Sequence, residues 1–398
     1  MWGGLDEATP CIFLPMVAAV SLLALVLTAN PTAAQGSRTF EQIAREADAA
    51  RASDQGQHAI DLYREGLKLR PTWNEGWWDL GSLLYDQDRF PEAEGAFRHF
   101  AASTRKPGPA YAFLGLCEYE TKDYENSLRH FRLWASEGWA GTPELTDVAL
   151  FHFALLLTRE GRFVEALYLL TTEVQRRGRA PALAEAMGLA SLRIKNLPGE
   201  YPSEQREQIW LAGNSALYAA LPPNDFARAD EYANRLLAHY DRSGNVHYYV
   251  GTLRGFEGKK EEAEKEFRRE LGISPQNTAA MLELAQMDLE ADRLAEAEEF
   301  AKNAVELEPK NPEGHHILGR VLLANNRVDD SVKELEAAKL LAPDAATIRS
   351  HLAMAYFRLG RKNEAKAEMA AFSDLKAKEG VLASPAEKVK SAKQAGPE

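Results

Sequence analysis

Small and large apolar residues recur along most of the chain with a period of 34 residues. The units begin at positions 40, 74, 108, 147, 181, 210, 244, 278, 312 and 346. The eighth position is small in every unit except that of Leu217, and it holds Ala47, Gly81, Gly115, Ala154, Gly188, Gly251, Ala285, Gly319 and Ala353. The twentieth position of the complete units is also small, and the twenty-fourth is large in seven units: Tyr63, Phe97, Phe131, Leu170, Phe267, Leu335 and Met369. Because side chains four residues apart share one helix face, the pattern predicts two closely packed helices in each unit.

Residues that begin and end helices agree with this period. Thr39-x-x-Gln42 has the form of a capping box, and Thr142 precedes a proline at a first helical position. Asp225 can cap the helix that follows it directly in the sequence. Prolines close the second helix of several units, at Pro71, Pro275, Pro309 and Pro343. No alternating strand pattern competes with this assignment. A pair of helices cannot bury its own apolar face, so neighbouring pairs must stack into an elongated array.

The residues at these positions resemble a known repeat family. Trp77-x-x-Leu80-Gly81 is followed by Ala93 and Phe97 at the spacing of a tetratricopeptide repeat, and Ala297, Ala304 and Pro309 fit the same pattern. The resemblance covers residues 40 to about 373. It implies an all-α fold, a right-handed α-solenoid of about nine to ten helix-turn-helix repeats.

The middle of the array departs from the pattern. The unit that begins at Pro181 has a convincing first helix, Ala182 to Lys195, but the Pro/Gly loop at 196–202 replaces its second helix. We therefore divide the repeats into N-terminal units at 40–141, units with the degenerate repeat and loop at 142–209, and C-terminal units at 210–373. A charged flexible tail follows at 374–398. We expect the superhelix to bend in the middle region, or two half-solenoids to meet there.

The first 34 residues have the pattern of an export signal. No charged residue occurs from Pro10 to Gly36, and the apolar block ends at Asn30 and Pro31, before the small residues at 32–34. This predicts a signal peptide at 1–34 with a mature start at Gln35, although the leader is acidic rather than basic. A run of this length can also remain as a membrane anchor. Either outcome predicts an exported protein of the periplasm or cell envelope, in contact with the membrane only if the segment is retained.

The amino-acid composition of the chain limits the classes of partner that it can bind. The formal net charge of -12 opposes the counterion release that drives nucleic-acid binding, so no nucleic-acid partner is expected. Removal of the signal would leave Cys117 as the single cysteine, with no internal disulfide. Its apolar neighbours predict a buried, unreactive thiol.

The search for catalytic chemistry finds no recognisable motif. The sequence has no phosphate-binding glycine loop, no His-Glu-x-x-His helix, no Cys-x-x-Cys pair and no Gly-x-Ser-x-Gly elbow. His315 and His316 with His351 are the one set of histidines that could converge, but we expect His315 to pack inward and His316 to face the groove. A metal site needs three or four converging ligands. The sequence therefore predicts neither an enzyme, nor a metal site, nor a cofactor.

The tetratricopeptide resemblance implies that the first helix of each unit lines a concave groove with its second, fifth, ninth and twelfth positions. The groove residues selected in this way are Trp78, Ser82, Tyr85, Tyr119, Phe151, Tyr218, Tyr248, His316 and Arg320. Each aromatic residue in this set could equally fill the space between helices. Trp78 is favoured for the groove because Trp77 is assigned to the core. The Lys and Asn residues that hold a partner's terminal carboxylate in some family members are absent.

These features predict a non-enzymatic scaffold that binds a protein or peptide partner in the concave groove of a tetratricopeptide superhelix in the cell envelope. The alternative is a carbohydrate-binding or enzyme-accessory module, because Trp and Tyr side chains also stack on sugar rings.

Overall fold

The computed structural model describes residues 38–221 and 223–381, and within them it contains α-helices, one short 3-10 helix and no strand. The helices are α1 (Phe40–Ala52), α2 (Gly56–Leu69), α3 (Asn74–Asp86), α4 (Phe90–Ser103), α5 (Gly108–Glu120), α6 (Tyr124–Ser136), α7 (Pro143–Glu160), α8 (Phe163–Arg177), α9 (Pro181–Ser191), α10 (Arg206–Ala220), α11 (Phe226–Tyr240), α12 (Val246–Phe256), α13 (Lys260–Ile273), α14 (Thr278–Glu290), α15 (Leu294–Leu307), α16 (Pro312–Ala324), α17 (Val328–Leu341), α18 (Ala346–Arg358) and α19 (Lys362–Val381). The 3-10 helix is Ser203–Gln205. The predicted all-α solenoid of stacked helix pairs is confirmed.

The 34-residue pattern is explained by how the two helices of a pair meet. A Cβ atom added at Gly115 would lie 2.7 Å from the ring of Phe131, and one at Gly319 would lie 2.7 Å from Leu335. The large residue at position twenty-four thus lies directly on the small residue at position eight. Where position twenty is serine, its hydroxyl adds a hydrogen bond: Ser127 Oγ donates to the carbonyl of Gly115 at 2.6 Å. Both small positions therefore mark the helix crossing, as predicted.

The predicted helix caps are present. The Thr39 side chain accepts a hydrogen bond from the backbone of Gln42, whose own side chain accepts one from the Thr39 backbone. The Thr142 side chain accepts a hydrogen bond from the Leu145 backbone at the start of α7, and Asp225 accepts one from the Arg228 backbone at the start of α11. These bonds satisfy backbone N–H groups that would otherwise lack a partner at the first turn of each helix.

The middle region is more closely packed than the sequence indicated. Helix α9 ends at Ser191, four residues earlier than predicted, and the loop at 196–202 follows in place of an in-register second helix. Glu185 holds this loop, since it accepts a hydrogen bond from the Gly199 N–H at 3.2 Å and another from the Tyr201 hydroxyl at 2.5 Å. Helix α10 packs against both α9 and α11. It therefore acts as the second helix of one pair and the first helix of the next.

Two glycines allow this arrangement. A Cβ atom at Gly188 would lie 2.0 Å from the carbonyl oxygen of Ile209, and one at Gly213 would lie 1.7 Å from that of Ala184. The backbones of α9 and α10 are thus in direct contact. The predicted pattern missed this contact because it placed Leu217 at the crossing position, where the structure buries the leucine instead.

The predicted signal peptide or anchor at 1–34 lies outside the described residues, and so does the end of the predicted tail at 382–398. The tail's first part, from 374, continues α19 as far as Val381. Among the residues that are described, no helix is both long and apolar enough to cross a bilayer.

Candidate functional site

The aromatic residues predicted for the first part of the groove share one face but are engaged in packing. Trp78 and Tyr85 both contact the ring of Phe113 in the next unit, with ring centroids 5.6 Å and 5.1 Å away. Trp78 also lies 5.1 Å from Phe100 and 5.6 Å from Phe97. Both predicted residues are half-buried. Their shared helix face is therefore largely an interface between units.

The contrast predicted between Trp77 and Trp78 is wrong. Trp77 is not a fully buried core residue, because it is half-buried with its ring stacked on His99 at 4.2 Å. Its indole N–H donates to the carbonyl of Pro71 at 2.8 Å. Of these two residues, Trp78 has more aromatic neighbours. Adjacent helical positions face different directions, but the sequence alone did not show which direction leads to the core.

The remaining aromatic predictions lie along the same inter-unit face. The Tyr119 ring lies 4.6 Å from that of His152, which also neighbours Phe151. Burial, as the first cause, raises the pKa of the Tyr119 hydroxyl. Ser82 is half-buried and donates its hydroxyl to the backbone carbonyl of Trp78, so its hydrogen is used within α3. Tyr119 and Ser82 are thus engaged in contacts within the array, and the placement of Tyr119 beside Trp78 and Tyr85 stays a prediction.

Tyr218 and Tyr248 have different surroundings. Tyr218 stacks on Tyr232 at 5.6 Å, with the guanidinium groups of Arg179 and Arg228 over its ring. Tyr248 packs beside Phe267, and the Arg193 guanidinium lies 5.4 Å from its ring centre. Tyr218 therefore belongs to a packed cluster, whereas Tyr248 touches a cation that lines the cavity described below.

His316 and Arg320 occupy the inter-unit face of α16. His316 Nε2 lies 3.0 Å from His351 Nδ1, and the Arg320 guanidinium donates to the Gln286 side chain of the preceding first helix. His315 points the other way, with Nδ1 2.7 Å from Glu334 in α17. His316 is buried at this contact with the next unit, whereas His315 is half-buried, so the structure does not place His316 on an open groove surface. No cluster of three His, Cys, Asp or Glu side chains suited to a metal occurs in the part of the chain that the structure describes.

A large cavity lies at the loops rather than along the predicted aromatic face. Its volume is about 1890 Å³. It is bounded by the turn between α7 and α8 (160–165), by Arg193 and Lys195 after α9, and by Asn245 before α12. The loops before α14 (274–278), α16 (308–312) and α18 (341–345) complete the wall. We call this space the loop cavity.

The walls of the loop cavity carry charges of both signs and several amide and hydroxyl side chains. Glu160 pairs with Arg132 outside the wall at 2.6 Å. The Arg193 guanidinium lies 4.7 Å from the centre of the Phe163 ring. Lys195 and Lys310 are exposed and make no ion pair with any described residue. These two ammonium groups are available to a bound partner.

A recurring side-chain clamp holds the loops of this cavity. His315 Nε2 lies 3.0 Å from the carbonyl of Pro309, while its other ring nitrogen contacts Glu334. Arg349 repeats the arrangement one unit later, donating to the Pro343 carbonyl at 3.0 Å and to Glu368 at 2.9 Å. The clamp joins each loop to the second helix of the unit that follows it. Its sequence signal is a histidine or arginine at the fourth position of a unit with glutamate 19 residues later, a pattern that the sequence-based prediction did not use.

A third clamp lies in the unit that begins at 244. His247 Nδ1 is 2.5 Å from Glu266, and Nε2 is 2.8 Å from the carbonyl of Asp241. The hydrogen bond to Glu266 is the largest cause that raises the pKa of His247. Since both ring nitrogens face oxygen acceptors, only the doubly protonated ring donates to both.

Cys117 behaves as predicted. It is fully buried, and burial is the first cause that raises the pKa of its thiol. A thiol of this kind is a poor nucleophile because the reactive thiolate is disfavoured.

Tetratricopeptide-repeat family models match the chain at residues 45–108, 79–142 and 251–312, at 288–350, and at 346–378. The matched ranges lie on either side of 143–250, which holds the irregular α9–α10 region. The chain belongs to the tetratricopeptide-repeat family. This fold typically serves as an interaction scaffold and not as a catalyst.

Two solved structures that are similar to this chain each align with less than half of it. MamA from Desulfovibrio magneticus is 16% identical with a TM-score of 0.37, and the match covers 45% of this chain and 98% of that one. YrrB, described as a tetratricopeptide protein with an unusual peptide-binding site, is 18% identical with a TM-score of 0.37 and coverages of 47% and 94%. A search of curated proteins gives no match.

Proposed function

We propose that the protein is a non-enzymatic scaffold of the cell envelope that binds an extended segment of a protein partner in the loop cavity. The observation that carries this proposal is the size of the cavity, about 1890 Å³. Pockets for small molecules usually measure roughly 300 to 1,000 Å³. A space this large suits a stretch of polypeptide better than a metabolite.

The lining also suits a polypeptide. Asn245 and Gln276 supply amide groups, which both donate and accept hydrogen bonds as a peptide backbone requires. Glu308 is already used to fix its own loop, because it accepts hydrogen bonds from Thr278 at 2.7 Å and Asn311 at 2.9 Å. Walls held in place before binding lower the entropy lost when a partner is bound.

The loop cavity is a better candidate for the binding site than the aromatic face for a physical reason. Trp78, Tyr85 and Tyr119 are half-buried against the following unit, so a partner would gain little new contact area from them. Of the residues selected from sequence, Tyr248 contacts the wall of the proposed site through Arg193.

Site-specific photocrosslinking in cells tests the proposed site. A benzoylphenylalanine residue in place of Lys310 is expected to give a discrete adduct, because this exposed side chain borders the cavity. The same residue in place of Lys68, which is exposed on α2 far from the cavity wall in sequence, is the matched control. The variant Gln276→Trp, which places bulk in the cavity, is expected to reduce the adduct formed at 310. Equal adducts at 68 and 310, or an adduct at 310 that Gln276→Trp leaves unchanged, would contradict the proposal.

The envelope location has its own test. The uncharged segment and the small residues at 32–34 support export with cleavage, so the purified mature protein is expected to begin at Gln35. Mass spectrometry of the N-terminal peptide from fractionated cells measures this. An intact Met1 in the membrane fraction would support the anchor instead, and an intact Met1 in the cytosol would contradict both.

A further inference from the structure

Most carboxylate groups on the wall of the loop cavity are already engaged within the protein. Glu160 pairs with Arg132 at 2.6 Å, and Glu165 pairs with Arg162 on the turn between α7 and α8. Glu308 accepts the two side-chain hydrogen bonds described above. These three side chains therefore have little remaining capacity to attract a cationic group of a partner.

The cations of the wall are in the opposite situation. Arg193, Lys195 and Lys310 have no carboxylate oxygen within 4.0 Å among the residues that the structure describes. Asp344 is the one carboxylate of the described wall that lacks both an ion pair and a hydrogen bond. Three cations against one carboxylate leave a positive surplus, although the chain as a whole has a net charge of -12. The surplus at the cavity is therefore a local feature and does not follow from the average composition.

Arg193 differs from other arginine residues that lie between repeat units. Arg293 pairs with Glu264 of the preceding unit at 3.0 Å, and Arg327 pairs with Glu298 of the preceding unit at 2.6 Å. Arg193 is half-buried as well, but Glu283 interacts with it only from beyond ion-pair distance. A cation that is partly removed from water without a counter-ion is unfavourable. A ligand that supplies the counter-ion would remove this cost.

Two aromatic rings hold the Arg193 guanidinium group in place. Its central carbon lies 4.7 Å from the centre of the Phe163 ring and 5.4 Å from that of Tyr248. Aromatic faces attract a cation but do not neutralise its charge. The guanidinium group has five N–H donors, and the interaction with the Tyr248 hydroxyl leaves others free. A planar fork of this kind matches the two oxygens of a carboxylate.

The other two cations lie on different parts of the same wall. Lys195 lies against the turn between α7 and α8, because a Cβ atom added at Gly161 would be 2.8 Å from its Cε atom. Lys310 belongs to the loop before α16. An extended segment that fills the cavity can therefore meet positive charge from two separate loops.

We propose that the partner segment bound in the loop cavity is acidic, with the carboxylate of an aspartate or glutamate side chain bound by Arg193. Lys195 and Lys310 add electrostatic attraction for neighbouring carboxylates of the same segment. This inference rests on the proposed function, since it states the chemistry of the polypeptide that the cavity binds. Electrostatic complementarity of this kind contributes mainly to the choice of partner and to the rate of association.

Fluorescence anisotropy with a rhodamine-labelled peptide of alternating glutamate and serine tests this preference. The purified full-length protein is expected to bind the peptide at least about tenfold more tightly than versions with glutamine or lysine in place of glutamate. Arg193→Gln should raise the dissociation constant of the glutamate peptide about tenfold or more, the usual effect of losing a hydrogen bond between charged groups. Lys310→Gln should raise it less. Because Lys310 is exposed, this variant is expected to fold normally.

Arg105→Gln is the matched control. Arg105 is exposed on the loop before α5, makes no ion pair with any described residue and does not line the cavity, so its loss should leave the dissociation constant unchanged. Equal affinity for the glutamate and glutamine peptides, tighter binding of the lysine peptide, no binding of the glutamate peptide, or binding that neither cavity variant weakens would overturn the inference. If position 310 nevertheless forms its specific adduct in cells, the cavity stays the binding site without an acidic preference. Equal adducts at 68 and 310 would contradict the proposed function itself.

Discussion

Replacement of Gly213 with alanine is expected to lower the free energy of unfolding by about 3 kcal/mol or more, because it forces two helix backbones apart. The added Cβ atom would lie 1.7 Å from the carbonyl oxygen of Ala184 and 3.0 Å from the backbone nitrogen of Gly188. No change of rotamer can relieve a contact with backbone atoms. Helices α9 and α10 would have to separate, and the pairing of α10 with α11 would be disturbed as well. Urea-induced unfolding followed by circular dichroism measures the effect.

Gly95→Ala provides the matched control for this experiment. Gly95 also lies inside a helix, α4, but nothing lies within 4 Å of a Cβ atom added there. Alanine is the better helix former, so this variant should gain about 0.5 to 1 kcal/mol. If Gly213→Ala unfolds at the same urea concentration as Gly95→Ala, the direct backbone contact between α9 and α10 is wrong.

The second large effect depends on pH and concerns the buried carboxylate of Glu173. This side chain of α8 is fully buried. Burial first, and then the charge of Asp147, raise the pKa of Glu173 from 4.5 to about 7. Arg176 and Arg177 oppose the shift from 3.5 Å and 3.7 Å, but neither forms a close hydrogen bond with it.

The direction of the pH dependence follows from this raised pKa. The folded protein binds the Glu173 proton more tightly than the unfolded chain does, so the stabilisation is fully present below about pH 4.5 and lost as the pH rises through about 7. One pKa unit corresponds to about 1.4 kcal/mol, which gives a loss of about 3 kcal/mol. Glutamine has nearly the same shape and no charge. Glu173→Gln is therefore expected to be more stable than the wild type at pH 8 by up to about 3 kcal/mol and to differ little near pH 4.5.

Thermal unfolding at several pH values measures this difference. Glu125→Gln removes an exposed carboxylate from α6 and should show no such dependence. A Glu173→Gln variant whose stability relative to the wild type is the same at both pH values would show that the carboxylate is not held in the buried environment described.

The regular parts of the fold were predictable because their causes are local. Small residues at Gly115 and Gly319 are required by the large side chains that lie on them within the same unit. Caps such as Thr39 act within one turn of the chain. Because such contacts recur in most units, the positions of most helices could be derived from the sequence alone.

The α9–α10 contact could not be derived in this way. The repeat register placed Leu217 at the expected crossing position, so Gly213, four residues earlier, carried no recognisable signal. Only the path of the loop at 196–202 brings Gly188 and Gly213 together. That path depends on tertiary hydrogen bonds such as those of Glu185, which no local sequence pattern predicts.

The candidate site was harder to predict for a related reason. The repeat period identifies which positions of a first helix face away from the second helix of the same unit. That face contacts both the next unit and the groove, and the period does not distinguish the two. Trp78 and Tyr85 fit the pattern of groove residues and yet pack on Phe113. The loop cavity combines the turn at 160–165 with loops near 276, 310 and 343, and a separation of this length leaves no sequence motif.

Amide hydrogen exchange tests the central claim most directly, that a partner binds in the loop cavity. The purified protein is compared with its complex with the partner captured through position 310. Binding is expected to slow exchange in the segments at 160–165, 274–278 and 308–312, which line the cavity, and to leave α3 and α4 unchanged. Slowed exchange confined to α3 and α4, around Trp78 and Tyr85, with no change in the three cavity segments, would contradict the account.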